Sequence, residues 1–143
     1  MPEQSNGESI ILGYTSGVFD MFHVGHLNML RQARALCDRL IVGVTVDELV
    51  GYKSARPVIP FEQRIEIVAN IKGVDLAVPQ DDLDKLAMWK KLKFDVMFIG
   101  DDWFGTARFD EFEKKLAGVG VKIIYLPYTR GICTSLLKKN IKS

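Results

Sequence analysis

Histidine and cysteine are scarce in this chain, two of each among 143 residues. Cys37 and Cys133 stand far apart and make no spaced ligand set with the histidines, which argues against a disulfide scaffold and against a zinc module. No apolar run approaches the roughly 20 residues that a membrane-spanning helix needs, and Met1 to Ser9 lacks the basic start and apolar stretch of a secretory signal. A soluble, cytoplasmic protein is expected. The 19 basic residues nearly cancel the 18 acidic ones. The chain therefore has no global field of the kind that gathers polymeric nucleic acid or an anionic membrane, and any anion must be bound locally. Two nucleotide signatures are also missing. No G-x-G-x-x-G follows the first apolar run, which argues against a dinucleotide-binding dehydrogenase, and no G-x-x-x-x-G-K-[ST] occurs, which argues against a P-loop enzyme.

What is present is an alternation. The length suits one ordinary domain, read as residues 10–143 behind a flexible tail of residues 1–9. Ile10 to Tyr14 is an apolar run, and His23 to Cys37 is helical, with Leu27, Leu30, Ala33 and Cys37 drawing one apolar stripe. Arg39 to Val46 reads as a strand, and Phe61 to Ile71 as a helix with Phe61, Ile65, Val68 and Ile71 on one face. Val74 to Val78 is a third strand, Leu83 to Leu92 a helix, Asp95 to Ile99 a fourth strand. Asp110 to Ala117 is a helix that Gly118 ends, Val121 to Leu126 a fifth strand, and Thr134 to Lys142 a basic terminal helix. Near-continuous apolar strands between amphipathic helices predict an α/β fold, a doubly wound five-stranded parallel sheet of the Rossmann-like kind. Ligands of such folds sit beyond the carboxyl ends of the strands, near the point where strand order reverses.

Four clusters collect at those ends. After the first strand comes Gly17-Val18-Phe19-Asp20-Met21-Phe22-His23-Val24-Gly25-His26. Two histidines three apart at a helix start add donors to backbone N–H groups that already favour an anion, and Gly25 lets a ligand approach closely. Ordinary histidines and a metal pair are the competing readings, although no third and fourth metal ligand stands nearby. The loop after the second strand carries Asp47, Glu48, Lys53 and Arg56, and its two cations, Lys53 and Arg56, could close over phosphates as a lid. After the fourth strand, Gly100-Asp101-Asp102-Trp103 offers carboxylates for ribose hydroxyls or a base amino group and a ring to pack beside a nucleoside. After the fifth, Arg130-Gly131-Ile132-Cys133-Thr134-Ser135 makes a second anion cradle.

These residues resemble the cytidylyltransferase branch of the HxGH nucleotidyltransferase superfamily, and within it the enzymes that act on glycerol 3-phosphate. The anchors are Gly17-Val18-Phe19-Asp20, His23-Val24-Gly25-His26, Glu62-Gln63-Arg64, Gly100-Asp101-Asp102-Trp103 and Gly131-Ile132-Cys133-Thr134-Ser135. The resemblance implies a homodimer, a magnesium ion bound with the nucleotide, and transfer of CMP from CTP to a phosphomonoester with release of pyrophosphate. It places Val18, Phe19, His23, Gly25, His26, Arg56, the Gly100 to Trp103 turn and Arg130 to Ser135 on the nucleotide, and Asp20, Lys53 and Lys85 on the acceptor. Three positions depart from the pattern. The arginine after the last strand falls on Tyr128, with Arg130 two residues on; the first serine of the terminal motif is Cys133; a lid lysine falls on Ala55.

The chemistry needs positioning and neutralisation rather than a covalent intermediate, because a phosphomonoester is already ionised near neutral pH. His23 and His26 are then phosphate donors. Lys53 stands between acceptor and triphosphate, and Arg130 holds the leaving group with Thr134 and Ser135. Asp20 fixes the lid or a ligand hydroxyl, and a loop anchor is one reading of Arg64. An adenylyltransferase of the same superfamily and a non-catalytic nucleotide-binding domain are the alternatives.

Overall fold

The computed structural model describes residues 10–50, 57–100 and 107–127. Its sheet has five strands: β1 (Leu12–Gly17), β2 (Arg39–Thr45), β3 (Leu76–Gln80), β4 (Val96–Gly100) and β5 (Lys122–Leu126). Their order is β3-β2-β1-β4-β5, every pairing parallel. Chain order therefore runs outward from β1 on one side and then returns to its other side. The β1/β4 boundary is the switch point that the sequence called for.

The helices are α1 (Val24–Ala35), α2 (Asp47–Val50), α3 (Phe61–Ala69), α4 (Lys85–Leu92) and α5 (Ala107–Ala117). Two apolar clusters lie on opposite faces of the sheet. In one, Leu30 and Ala33 from α1, Cys37 just after it and Val68 from α3 bury against Leu40, Val42, Val44 and Phe98, with Phe61, Ile65 and Ile71 packed on its margin. In the other, Met88 of α4 and Leu116 of α5 bury against Tyr14, Ile41, Met97 and Ile99. Alternate residues of β2 thus face opposite layers, which is why its run is apolar without a break.

Two strands begin two residues later in the chain than their apolar runs suggest. β1 begins at Leu12 rather than Ile10, because Ile10 and Ile11 are 57% and 46% exposed while polar Thr15 is accommodated by donating to the Phe98 carbonyl at 2.9 Å. β3 begins at Leu76 rather than Val74. Gly73, at φ +100°, turns the chain there, and the strand runs on through Pro79, which an edge strand accepts because its missing N–H can face away from the ladder. Asp38, Asp75 and Asp95 work at the amino end of the sheet, accepting from the Ile11, Leu40 and Leu12 N–H groups at 2.7, 2.8 and 2.9 Å. The short α2 is a further difference, since its charged sequence reads as loop. The tail of residues 1–9 and the terminal helix expected from Thr134 to Lys142 lie outside the described residues.

Candidate active site

The turn between β1 and α1 is wound unusually. Phe19 and Met21 adopt φ values of +54° and +48°, a left-handed conformation that costs a residue with a side chain about 1–2 kcal/mol. The winding lets His23 stand as the N-cap of α1, with extended backbone. Its Nδ1 accepts from the Gly25 N–H at 3.0 Å, and His26 Nδ1 reaches back to accept from the His23 N–H at 3.1 Å. This is a capping box built from two imidazoles where a hydroxyl and a carboxylate usually serve. The two rings stack at 4.0 Å, and Phe19 and Phe22 press on His26 at 5.6 and 5.2 Å between ring centres.

The capping bonds decide the protonation state. A nitrogen that accepts from a backbone N–H carries a lone pair, so in both rings the proton belongs on Nε2. Burial, together with repulsion from His23 and against the opposing pull of Asp20, lowers His26 to about 4, and burial lowers His23 as well. Both are neutral near pH 7 and each carries one Nε2–H donor. That of His23 is shielded from water and has no partner among the described residues. A buried N–H left unmatched is costly, and a ligand oxygen would satisfy it.

Around the pair, Val18 offers its carbonyl to Arg64, and the Phe19 ring lies in the core at 6% exposure, leaving its backbone as the part able to meet a ligand. Asp20 is 1% exposed, and its carboxylate accepts from the Val58 and Ile59 N–H groups at 2.8 and 2.9 Å. Its place is that of an anchor for the chain that follows residues 51–56. Arg64, also 1% exposed, anchors the same region through Ile59 and Asp47.

Lys85 opens α4, where a cation opposes the helix dipole, and its Nζ donates to Ser16 Oγ at 3.1 Å beside the carboxyl end of β1. Buried polar links prepare that placement. The Tyr14 hydroxyl donates to Gln80 Oε1, Gln80 Nε2 donates to the Asp82 carbonyl, and Asp84 caps α4 by accepting from the Leu86 N–H at 3.0 Å. Ser16 and Gln80 went unremarked in the sequence, and only their position beside a spaced lysine could have marked them. Gly100 ends β4, at the switch point. Lys53, Arg56, Asp101, Asp102, Trp103, Tyr128, Arg130, Gly131, Ile132, Cys133, Thr134 and Ser135 lie outside the described residues.

The model of the cytidylyltransferase-like family matches residues 14–140, nearly the whole chain. The chain belongs to that family. A cytidylyltransferase-like relative, the glycerol-3-phosphate cytidylyltransferase of Bacillus spizizenii, is 38% identical over 90% of this chain and 95% of its own. The FAD synthase of Pyrococcus abyssi is 40% identical over 78% of this chain and 77% of its own. Among solved structures, the lipopolysaccharide core biosynthesis protein of Thermoplasma volcanium superposes with a TM-score of 0.72 at 24% identity, covering 85% of this chain and 98% of that one. That likeness concerns the fold.

Proposed function

We propose that this cytidylyltransferase-like chain transfers CMP from CTP to a small phosphomonoester, glycerol 3-phosphate or a similar compound, and releases pyrophosphate. The observation that carries the reading is the unsatisfied Nε2–H of His23 at the start of α1, held in one tautomer by the cap and paired with a second neutral histidine. A negatively charged oxygen at that place receives the helix N-terminus and two N–H donors that need no reorganisation. The closeness to glycerol-3-phosphate cytidylyltransferases over nearly the full length supports the choice of nucleotide and acceptor.

An oxygen of the acceptor phosphate attacks the α-phosphorus as the bond to the bridging oxygen breaks, and the electron pair leaves on pyrophosphate. His23 and His26 donate to the phosphate oxygens on which charge grows. Lys85, brought to Ser16, holds the acceptor phosphate with Lys53, and Arg56 and Arg130 with Thr134 and Ser135 take the β- and γ-phosphates. Val18, Phe19 and Gly25 line the nucleotide through their backbone, and the Gly100 to Trp103 and Gly131 to Cys133 segments complete its site. Magnesium bound with the triphosphate would supply positive charge to its oxygens. The described residues contain no group of three or more His, Cys, Asp or Glu side chains able to hold a metal ion. The working form is proposed to be a cytoplasmic homodimer.

A second reading, adenylyl transfer from ATP, is favoured by the 40% identity to an FAD synthase. Pyrophosphate release, measured with CTP and ATP side by side against a panel of phosphomonoesters, separates the two. Faster release with ATP for every acceptor would replace the cytidylyl reading, and release with neither would remove both.

A further inference from the structure

Arg64 is the largest fully buried side chain among the described residues, and it lies one turn into α3 rather than in the site. A buried cation survives only when its donors are matched. Here Nε donates to the Ile59 carbonyl at 2.8 Å, Nη1 to the Val18 carbonyl at 2.7 Å and the Thr45 carbonyl at 2.9 Å, and Nη2 to Asp47 Oδ1 at 2.5 Å. One planar fork thus joins the turn after β1, the end of β2, the start of α2 and the approach to α3. No lysine can reproduce that set, since its three donors radiate from one point.

The Val18 carbonyl is the telling partner. It immediately precedes Phe19, the first of the two left-handed residues, and the turn they form delivers His23 into its cap. Strained backbone of this kind persists only where surrounding contacts over-determine it. Those contacts are Arg64 on Val18, and Asp20, within the turn, on the Val58 and Ile59 N–H groups. We infer that Arg64 is a positioning residue for the histidine pair: by holding the Val18 carbonyl it keeps the turn wound so that both Nδ1 atoms stay in the capping box and both Nε2–H groups stay presented. The inference rests on the proposed role of the pair as phosphate donors.

The test is Arg64→Lys, examined by ¹⁵N NMR of the histidine rings and by steady-state kinetics. In the wild type both rings should give the pattern of a neutral imidazole protonated at Nε2. In the variant that pattern should give way to mixed tautomers, and kcat should fall by about 10²-fold, the usual loss when reacting groups move by about 1 Å, with little change in the acceptor's KM. If Arg64→Lys does not fold, Asp47→Ala removes one of the four holds without emptying the core and should produce the same two changes on a smaller scale. A folded variant with an unchanged histidine spectrum overturns the inference whatever its rate. A changed spectrum with unchanged kcat overturns it as well. Should the wild type itself transfer no nucleotide, the proposed function fails while the spectrum still decides whether Arg64 holds the histidines.

Discussion

Asp20 and Arg64 grip the same residue from opposite sides. The Ile59 N–H donates to Asp20 Oδ1 at 2.9 Å, while the Ile59 carbonyl accepts from Arg64 Nε at 2.8 Å. A buried anion and a buried cation therefore fix a single point of chain on the far side of residues 51–56, and both lead back to the turn that presents the histidines.

Asp20→Asn tests the anionic half. An amide keeps one acceptor oxygen, so one of the Val58 and Ile59 N–H groups loses its partner on the buried Asp20 side chain, and stability should fall by about 1–3 kcal/mol. Urea denaturation measures it. A midpoint identical to wild type would mean that these bonds contribute nothing net.

His23 carries two roles that separate by substitution. His23→Asn keeps a good N-cap oxygen but lacks a donor at the Nε2 position, whereas His23→Ala lacks both. Both should lose turnover by about 10²–10³, the usual consequence of removing one transition-state donor. Only His23→Ala should also lose stability, by about 1 kcal/mol. Turnover within a few-fold of wild type in the asparagine variant would remove the donor role.

The histidines also set a pH dependence of stability. Burial first, and His23 second, hold His26 at about 4 against an ordinary value of 6.5. Between those values the unfolded chain binds a proton that the folded chain refuses, so stability rises with pH through this window and the full benefit is present above it. His23, shifted in the same direction, adds to the slope. His26→Gln places at N3 a residue that can complete a capping box without titrating, so its stability should change less between pH 4 and 6.5 than that of wild type. Parallel stability curves for the two proteins would show that His26 titrates normally in the folded state.

Gly13→Ala probes the packing that seats α1 on the sheet. A Cβ at this position in β1 would stand 2.6 Å from Phe98 Cε2 and 2.8 Å from Cys37 Sγ, both in the buried core. Overpacking of this kind costs about 1–3 kcal/mol. Cys37→Ala in the same chain should recover part of the loss by removing one of the two contacts, and a double variant no more stable than Gly13→Ala alone would place the strain elsewhere.

The sequence by itself determined the alternation of strands and helices, the parallel sheet and the end of it at which the histidines stand. All three follow from local periodicity: apolar runs of strand length in β2 and β4, stripes at helical spacing in α1 and α3, and an H-x-G-H at a strand-to-helix junction. What only the tertiary structure decided is which atoms are free to act. His23 could be read as a phosphate donor, but that its Nδ1 is consumed in a cap and its Nε2 is the donor left over depends on a backbone turn held from 46 residues away by Arg64. Asp20 was legible as a lid anchor or a ligand contact, and the choice rests on two N–H groups 38 and 39 residues along the chain. The bounds of β1 and β3 slipped for the same reason, since polar Thr15 and Pro79 are tolerated through a neighbouring strand's carbonyl and an edge position. Hydrophobic pattern is written locally because burial depends on period, whereas hydrogen-bond partners are supplied by segments that only folding brings within 3 Å.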